Sequence, residues 1–488
     1  MKKKAISLLL LAAMLSVAAC AEKTDEPVSS GEPSVNSVSE SESESETRIE
    51  PVLPDERYDG YIFRVLTKGQ VSGSHWQSID IAAEEENAEP INDAVYRRNT
   101  KIFDRFGVSI VDIPSPDGTW NLTTSLRKAI SSNIDEYDMV AGSLIEIVAK
   151  MSQEGNLIDL HTVPYMDLEK PWYDQNCIEQ TSLGGKLFGV TGDMILMDNN
   201  ATWALLFNKK MAETYQLGDL YERVNSNTWT LDYMTECAKL ATSDLNSNGK
   251  MEKDDQWGCV GEKDDTYFYM LGCGVTAAVK DDEGTPVLTV DSERFFDAFN
   301  KAVVLNCDDQ ITMNSNKFSW TEIDSSFTEG RILFYMGGLV RVTLFRSMET
   351  DFGILPLPKY DEEQTNYYSP ISLYSTNSIE IPVTASNLER TGAIIEALSA
   401  ESYYSLTPAY YETVLKTKGA RDLESGYMLD IIFASRIYDL AYMYNWGDIV
   451  GSIGGLKIGG NISSTMARNL KPANKQIERT LAAYEKLG

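Results

Sequence analysis

An α/β body is what this sequence predicts. Three observations carry that expectation. Short apolar runs closed by glycine alternate with segments of helical periodicity. No segment repeats at the interval of a solenoid or propeller. The chain has 488 residues, 43% of them hydrophobic and 10% aromatic, which is material for roughly two or three packed domains.

The elements follow in order. Lys2, Lys3 and Lys4 precede an apolar run from Ala5 to Val17 that ends in Val17-Ala18-Ala19-Cys20. A basic start, a short apolar centre and small residues before a cut make residues 1–19 a signal peptide. The run falls short of the ~20 residues that span a bilayer. The cysteine directly after the small residues resembles a bacterial lipobox, which implies that Cys20 is lipidated and becomes the first mature residue. An ordinary secretory signal with an incidental cysteine is the alternative. Residues 20–56 read as a lipidated, disordered linker. Ser39 to Glu46 strictly alternates serine and glutamate and cannot bury a core. A flexible chain of that length reaches roughly 30–35 Å.

Charge and composition exclude several classes. The net charge of −30 repels phosphate backbones, so nucleic acid is not an expected partner. It also opposes binding to anionic lipid, and no second apolar run approaches a membrane span. The acyl chain would be the only anchor. After Cys20 come five scattered cysteines, 177, 237, 259, 273 and 307, without C-x-x-C spacing. They are expected as small buried hydrophobes, with one bridge left open. Two histidines, His75 and His161, starve histidine catalysis and histidine-rich metal sites of material. G-x-S-x-G, H-E-x-x-H, G-x-x-x-x-G-K-[ST] and G-x-G-x-x-G are all missing from the sequence.

The folded body is expected to start near Arg57. Tyr61 to Leu66 reads as a strand stopped by Lys68-Gly69. A helix from Asn92 to Phe106 stops at Gly107. A strand at Val108–Val111, a helix from Leu122 to Asn133 and a strand at Tyr137–Ala141 follow, which makes parallel β-α-β units. A second alternating block holds helices at 208–215 and 230–241 and strands at Trp257–Val260, Ile332–Met336 and Phe352–Pro356. From Leu388 onward the chain reads as largely helical and rich in tyrosine.

These residues resemble a known family. Glu136-Tyr137-Asp138-Met139-Val140-Ala141-Gly142-Ser143, Gly155-Asn156-Leu157-Ile158-Asp159-Leu160, Leu205-Leu206-Phe207-Asn208-Lys209, Thr228-Trp229-Thr230-Leu231, Phe334-Tyr335-Met336-Gly337-Gly338 and Phe352-Gly353-Ile354-Leu355-Pro356-Leu357-Pro358 stand in the order of bacterial extracellular solute-binding proteins of carbohydrate ABC importers, the maltose-binding-like, family 1 type. The resemblance implies a periplasmic-binding-protein-like type II fold: two α/β lobes joined by a hinge of crossing strands, with ligand in the cleft. Lobe 1 would be 57–203 plus 331–375. Lobe 2 would be 204–330 plus 376–488, with an extended helical C-terminal region. Crossings are expected near 201–208, 328–333 and 376–381. Two departures stand out. Thr191-Gly192 replaces the usual proline, and the region from Pro408 to Gly447 is longer and richer in tyrosine than in simple maltose binders.

The implied function is capture of a carbohydrate, with an oligosaccharide favoured, and its delivery to the permease subunits of an ABC transporter. The protein would be a monomer, not an enzyme, lipid-anchored on the extracellular face of the cell membrane. A surface glycosidase, with paired carboxylates, and a sensory binding lipoprotein are the alternatives. Ligands of open α/β sheets sit beyond the carboxyl ends of strands. That points to Trp76 in the stretch after Lys68, and to Ser143, Asp193, Asp198, Asn199 and Arg341. In lobe 2 it points to Tyr267 and Trp320, with Trp446 added because it lies among turn residues. Trp229 is expected in the core, and Trp203 could serve either role.

One short motif stands apart. Asp244, Asn246 and Asn248 occupy places one, three and five of a twelve-residue loop, Gly249 the sixth and Asp255 the last. This is EF-hand spacing, closer to dockerin-type loops in its final aspartate, with the Lys250 carbonyl as the seventh-place ligand. A weak structural calcium site is the expectation. A metal-free loop rich in turn residues is the alternative.

Overall fold

The computed structural model describes residues 48–69, 75–118, 120–415 and 423–487. The signal peptide, Cys20 and the Ser/Glu run lie outside the described residues. From Pro51 the chain forms one compact unit. The body starts earlier than expected. Leu53 and Tyr58 both pack against an apolar core that contains Phe106, so the last linker residues belong to the fold.

Nine strands organise two sheets: β1 (Ile62–Thr67), β2 (Ser109–Pro114), β3 (Met139–Gly142), β4 (Trp203–Asn208), β5 (Trp257–Gly261), β6 (Thr312–Asn314), β7 (Ile332–Gly338), β8 (Phe352–Leu355) and β9 (Ser378–Glu380). The first sheet has the order β9-β3-β1-β2. β1 runs parallel to both neighbours, with Val65 between Asp112 and Met139. Helices cover such a sheet, so its strands read as near-continuous apolar runs, and Phe63, Val65 and Leu66 are fully buried. The covering helix Pro90–Phe106 starts with proline, whose missing N–H costs nothing in a first turn. It turns Ala94, Val95, Ile102 and Phe106 inward. It stops at Gly107, where φ is 70° and a Cβ would strike Asp59.

The second sheet has the order β8-β4-β7-β5-β6. β5 is parallel to β6 and β7, while β4 is antiparallel to β7 and β8. This corrects the expected lobe boundaries. The segment 331–375, assigned to lobe 1, contributes β7 and β8 to the second sheet. The segment 376–380, assigned to lobe 2, contributes β9 to the first, antiparallel to β3. No crossing occurs at 328–333. The reason is pairing: β7 is an apolar strand that buries both faces between β4 and β5, and nothing local in its sequence names those partners. The chain crosses between the sheets at 199–203 and returns at 371–377. Leu388–Tyr404 then packs on Pro90–Phe106 over the first sheet, and Leu423–Ala434 packs on β8 of the second. The five cysteines are free, four of them buried and Cys307 half-buried. Trp229 is fully buried.

Candidate cleft between the two sheets

The carboxyl ends of β1, β2 and β3 lie on one edge of the first sheet. The ends of β5 and β7, and the start of antiparallel β4, lie on one edge of the second. Trp76 joins the two edges. It follows β1, is half-buried, and stacks on Trp203 at the start of β4, with ring centroids 6.2 Å apart and planes 8° from parallel. It also packs over Gly338 at the end of β7, where a Cβ would lie 3.0 Å from its ring. Trp76 touches the apolar clusters of both sheets.

On the first sheet, Trp120 after β2 stacks on Tyr374 from the return crossing at 5.5 Å and 13°. Both rings stay open to solvent, 41% and 42% exposed, in a body whose other large rings are mostly buried. Lys68, just past the end of β1, lies under the Trp120 ring. Its ammonium is 4.8 Å from the Trp120 ring centre and donates to the Ser375 carbonyl at 3.1 Å. Burial pushes Lys68 down to about 7, against the pull of Glu380 and Glu146. Glu380 is fully buried and accepts from the Gly142 N–H at 2.9 Å and from the Ser378 hydroxyl. Burial holds its carboxyl well above the usual range.

On the second sheet, the chain leaves β5 through Glu262-Lys263-Asp264-Asp265. Asp265 is buried, ties back to the Glu262 N–H at 2.7 Å and is steadied by the Trp203 indole. Glu262 and Asp264 are half-buried. Among the described residues, no side chain hydrogen-bonds or ion-pairs with either carboxylate. Burial raises both above the ordinary range, with the charge of Asp264 adding to the effect on Glu262. Phe268 stands edge-on to Trp203 at 5.1 Å and to Tyr442 at 5.8 Å. The open Trp120 and Tyr374 rings offer stacking to the C–H face of a sugar, and the Glu262 and Asp264 carboxylates offer acceptors to its hydroxyls.

Among solved structures, the chain is similar to an ABC substrate-binding protein from Listeria monocytogenes in complex with cycloalternan, at 12% identity over 86% of this chain and 98% of that one, with a TM-score of 0.54. It is similar to the maltose/maltodextrin-binding domain MalE from Bdellovibrio bacteriovorus bound to maltotriose, at 14% identity over 87% and 99%, TM-score 0.52. It is also similar to UgpB from Mycobacterium tuberculosis in complex with glycerophosphocholine, at 15% over 79% and 95%, TM-score 0.55. The chain has the solute-binding-protein fold. No protein-family model and no curated protein sequence matches it.

Within that fold the residues marked from the sequence divide. Trp76 lies between the strand-end edges. Arg341 and Trp320 lie at the second edge. The guanidinium is 4.8 Å from the Trp320 ring centre, and Asp324 holds it in two bonds of 2.9 and 3.0 Å. His75, next to Trp76, senses Arg341 and Asp324. Burial lowers its pKa, and Arg341 adds to that. The others serve the scaffold. Ser143 is buried and caps the turn after β3 by accepting from the Glu146 N–H. Asp193 accepts from the Thr407 hydroxyl at 2.6 Å. Asp198 and Asn199 are buried around the Arg436 guanidinium, which also reaches Asp174 at 3.0 Å and the Thr202 hydroxyl at 3.0 Å. Tyr267 is fully buried and accepts from the Ala277 N–H at 2.9 Å. Trp446 is buried against Tyr444 and donates to Thr480 at 3.1 Å. Each has a polar atom hydrogen-bonded within the fold. Trp120, Tyr374, Glu262 and Asp264 were not singled out. The strand-end rule applied to β2 reaches Trp120, but Tyr374 needs the return crossing.

The twelve-residue loop keeps part of its expected geometry. Asp244 accepts from the Gly249 N–H at 2.7 Å, Asn246 from the Asn248 N–H and Asn248 from the Lys250 N–H. The other Asp244 oxygen is buried without a hydrogen bond, which fits a cation. Asp255 fits less well. Both its oxygens accept from the chain, from Leu245 N–H and Glu252 N–H. Among the described residues, no group of three His, Cys, Asp or Glu side chains gathers as a metal cluster.

Proposed function

We propose that the protein binds a carbohydrate between its lobes and delivers it to an ABC importer. The observation that carries this reading is the solvent-open Trp120–Tyr374 pair over Lys68, at the strand-end edge where this fold places ligands. Cycloalternan and maltotriose in two similar structures support a sugar, and an extended rather than a single-ring one. Binding rather than hydrolysis is the activity. The chain would act as a monomer, tethered through lipidated Cys20 to the outer face of the membrane, with permease subunits as partners.

A thermal-shift screen over a glycan panel tests the ligand class. A sugar at about 100 times its dissociation constant adds ~2.7 kcal/mol of stability. Shifts with amino acids or peptides alone would overturn the reading, and release of shorter sugars would favour a glycosidase. Membrane retention of the parent with soluble release of Cys20→Ala tests the anchor.

The Asp244–Asp255 loop is proposed as a weak calcium site that staples the second lobe, supported by the unpartnered Asp244 oxygen. The melting temperature should rise with millimolar calcium over EDTA in the parent and not in Asp244→Ala. An unchanged parent sinks it.

A further inference from the structure

The C-terminal helix Ile462–Glu485 has 24 residues, a rod of about 36 Å at ~1.5 Å per residue. Its two halves rest on different lobes. The first half packs on the second lobe. It contacts the helix Glu293–Cys307 and the short helix Ile449–Gly454, and Asn469 donates to Ser452 at 2.7 Å. The last turns reach the first lobe. The Tyr484 hydroxyl lies 3.0 Å from the Ser152 hydroxyl and 2.5 Å from that of Tyr444. The Tyr484 ring stands edge-on to Phe188 at 5.1 Å. Thr480 donates to the Gln153 side chain at 3.2 Å. Leu487 comes within 3.1 Å of the place a Cβ of Gly155 would take. Ser152, Gln153 and Gly155 follow β3. Phe188 sits two residues before Val190, which bridges to Ile379 of β9.

Between the halves stands Pro472. It has no N–H, so the helix loses one internal hydrogen bond there and bends at low cost. The turn Trp446–Asp448 docks beside this point. Gly447 N–H donates to Gln476 at 2.6 Å, and a Cβ on Gly447 would lie 2.7 Å from that of Ala473.

We propose that this helix is a strap across the lobes, latched by Tyr484 and flexing at Pro472, that biases the ligand-free protein toward closure. Opening about the crossings 199–203 and 371–377 must either break the Tyr484 latch or bend the helix. The strap therefore sets how much of the ligand-free population is closed, and apparent affinity follows that population.

The test uses the full-length mature protein without ligand, so its outcome is independent of the carbohydrate reading. Small-angle scattering gives the radius of gyration, and hydrogen exchange gives local opening. Tyr484→Ala should enlarge the radius of gyration and speed exchange in 152–155 and 371–377 by at least tenfold. Tyr484→Phe and Ser152→Ala, which keep the packing, should give the same direction with a smaller change. They carry the test if Tyr484→Ala fails to fold. Pro472→Ala should slow exchange in 371–377. Parent values of the radius and of exchange at 371–377 in the Tyr484 and Ser152 variants, with change confined to 480–487, would overturn the strap. Parent exchange in Pro472→Ala would overturn the flexure.

Discussion

Two acidic clusters sit within reach of the lobe crossings and have opposite fates. Around Arg436, the carboxylates of Asp174 and Asp198, the Asn199 amide and the Thr202 hydroxyl all converge on one guanidinium, out of water. At the end of β5, Glu262 and Asp264 keep carboxylates without a partner among the described residues, half-open beside Trp203, Phe268 and Tyr442. The first cluster has spent its hydrogen-bonding capacity on the fold. The second has it left for something else. An acidic residue near a crossing is therefore not evidence of a ligand site until its partners are known.

The largest expected effect breaks the first cluster. Arg436→Met leaves two buried carboxylates without a counter-charge and should cost about 3–5 kcal/mol, read by denaturant unfolding. A cost near zero would mean that Arg436 does not hold the crossing. Next comes a pair of tryptophans. Trp446→Ala should lose about 3–5 kcal/mol of stability and leave ligand affinity per folded molecule unchanged. Trp120→Ala should reverse this. Stability stays within about 0.5 kcal/mol, while affinity for the sugar found in the screen falls about fivefold or more. Equal affinities in Trp120→Ala and the parent would remove the aromatic pair from the site.

The pH dependence sharpens the contrast, because the two regions carry opposite signs. Burial pushes Asp198 up to about 7, in spite of Arg436. The folded state then holds a proton that the unfolded chain has released, so this contribution is present at low pH and is lost as pH rises from about 4 through about 7. Asp198→Asn should flatten that limb of the stability curve. Lys68, pushed down to about 7 by burial, sheds its proton earlier when folded than when unfolded. Its contribution grows as pH rises from about 7 toward 10, and Lys68→Met should flatten that limb. Identical curves for parent and variant on either limb would contradict the corresponding burial. The smallest effect is Glu262→Gln. It removes repulsion with Asp264, so stability should rise slightly in thermal unfolding, whereas sugar affinity should fall. A fall in stability would mean that Glu262 has a partner in the fold.

Much of the fold was legible from local pattern. Helix stops at Gly107 and starts at Asn208 and Thr230 follow from capping chemistry, and Asn208 and Thr230 accept the N–H groups of Met211 and Tyr233 as such caps do. The strands at 61–66 and 332–336 were visible as apolar runs. The lobe membership of 331–375 and 376–380 was not, since a strand's partner is a long-range choice. Of the residues marked from the sequence, Trp76, Trp320 and Arg341 lie at the strand-end edges, whereas Ser143, Asp198, Tyr267 and Trp446 are enclosed by the fold. What separates these two groups is whether the fold carries the side chain to a strand-end edge or encloses it elsewhere, and residue type does not reveal that.

By itself the sequence determined what local chemistry determines: an acidic α/β chain with a signal-like start, alternating strands and helices, and the loops at which its strands end. The tertiary structure alone decided which strands share a sheet, which carboxylates are consumed by Arg436, and that Trp120 meets Tyr374 over Lys68. Those three outcomes depend on residues far apart in the chain, and the free energy that selects them comes from burial and pairing after the chain has closed on itself.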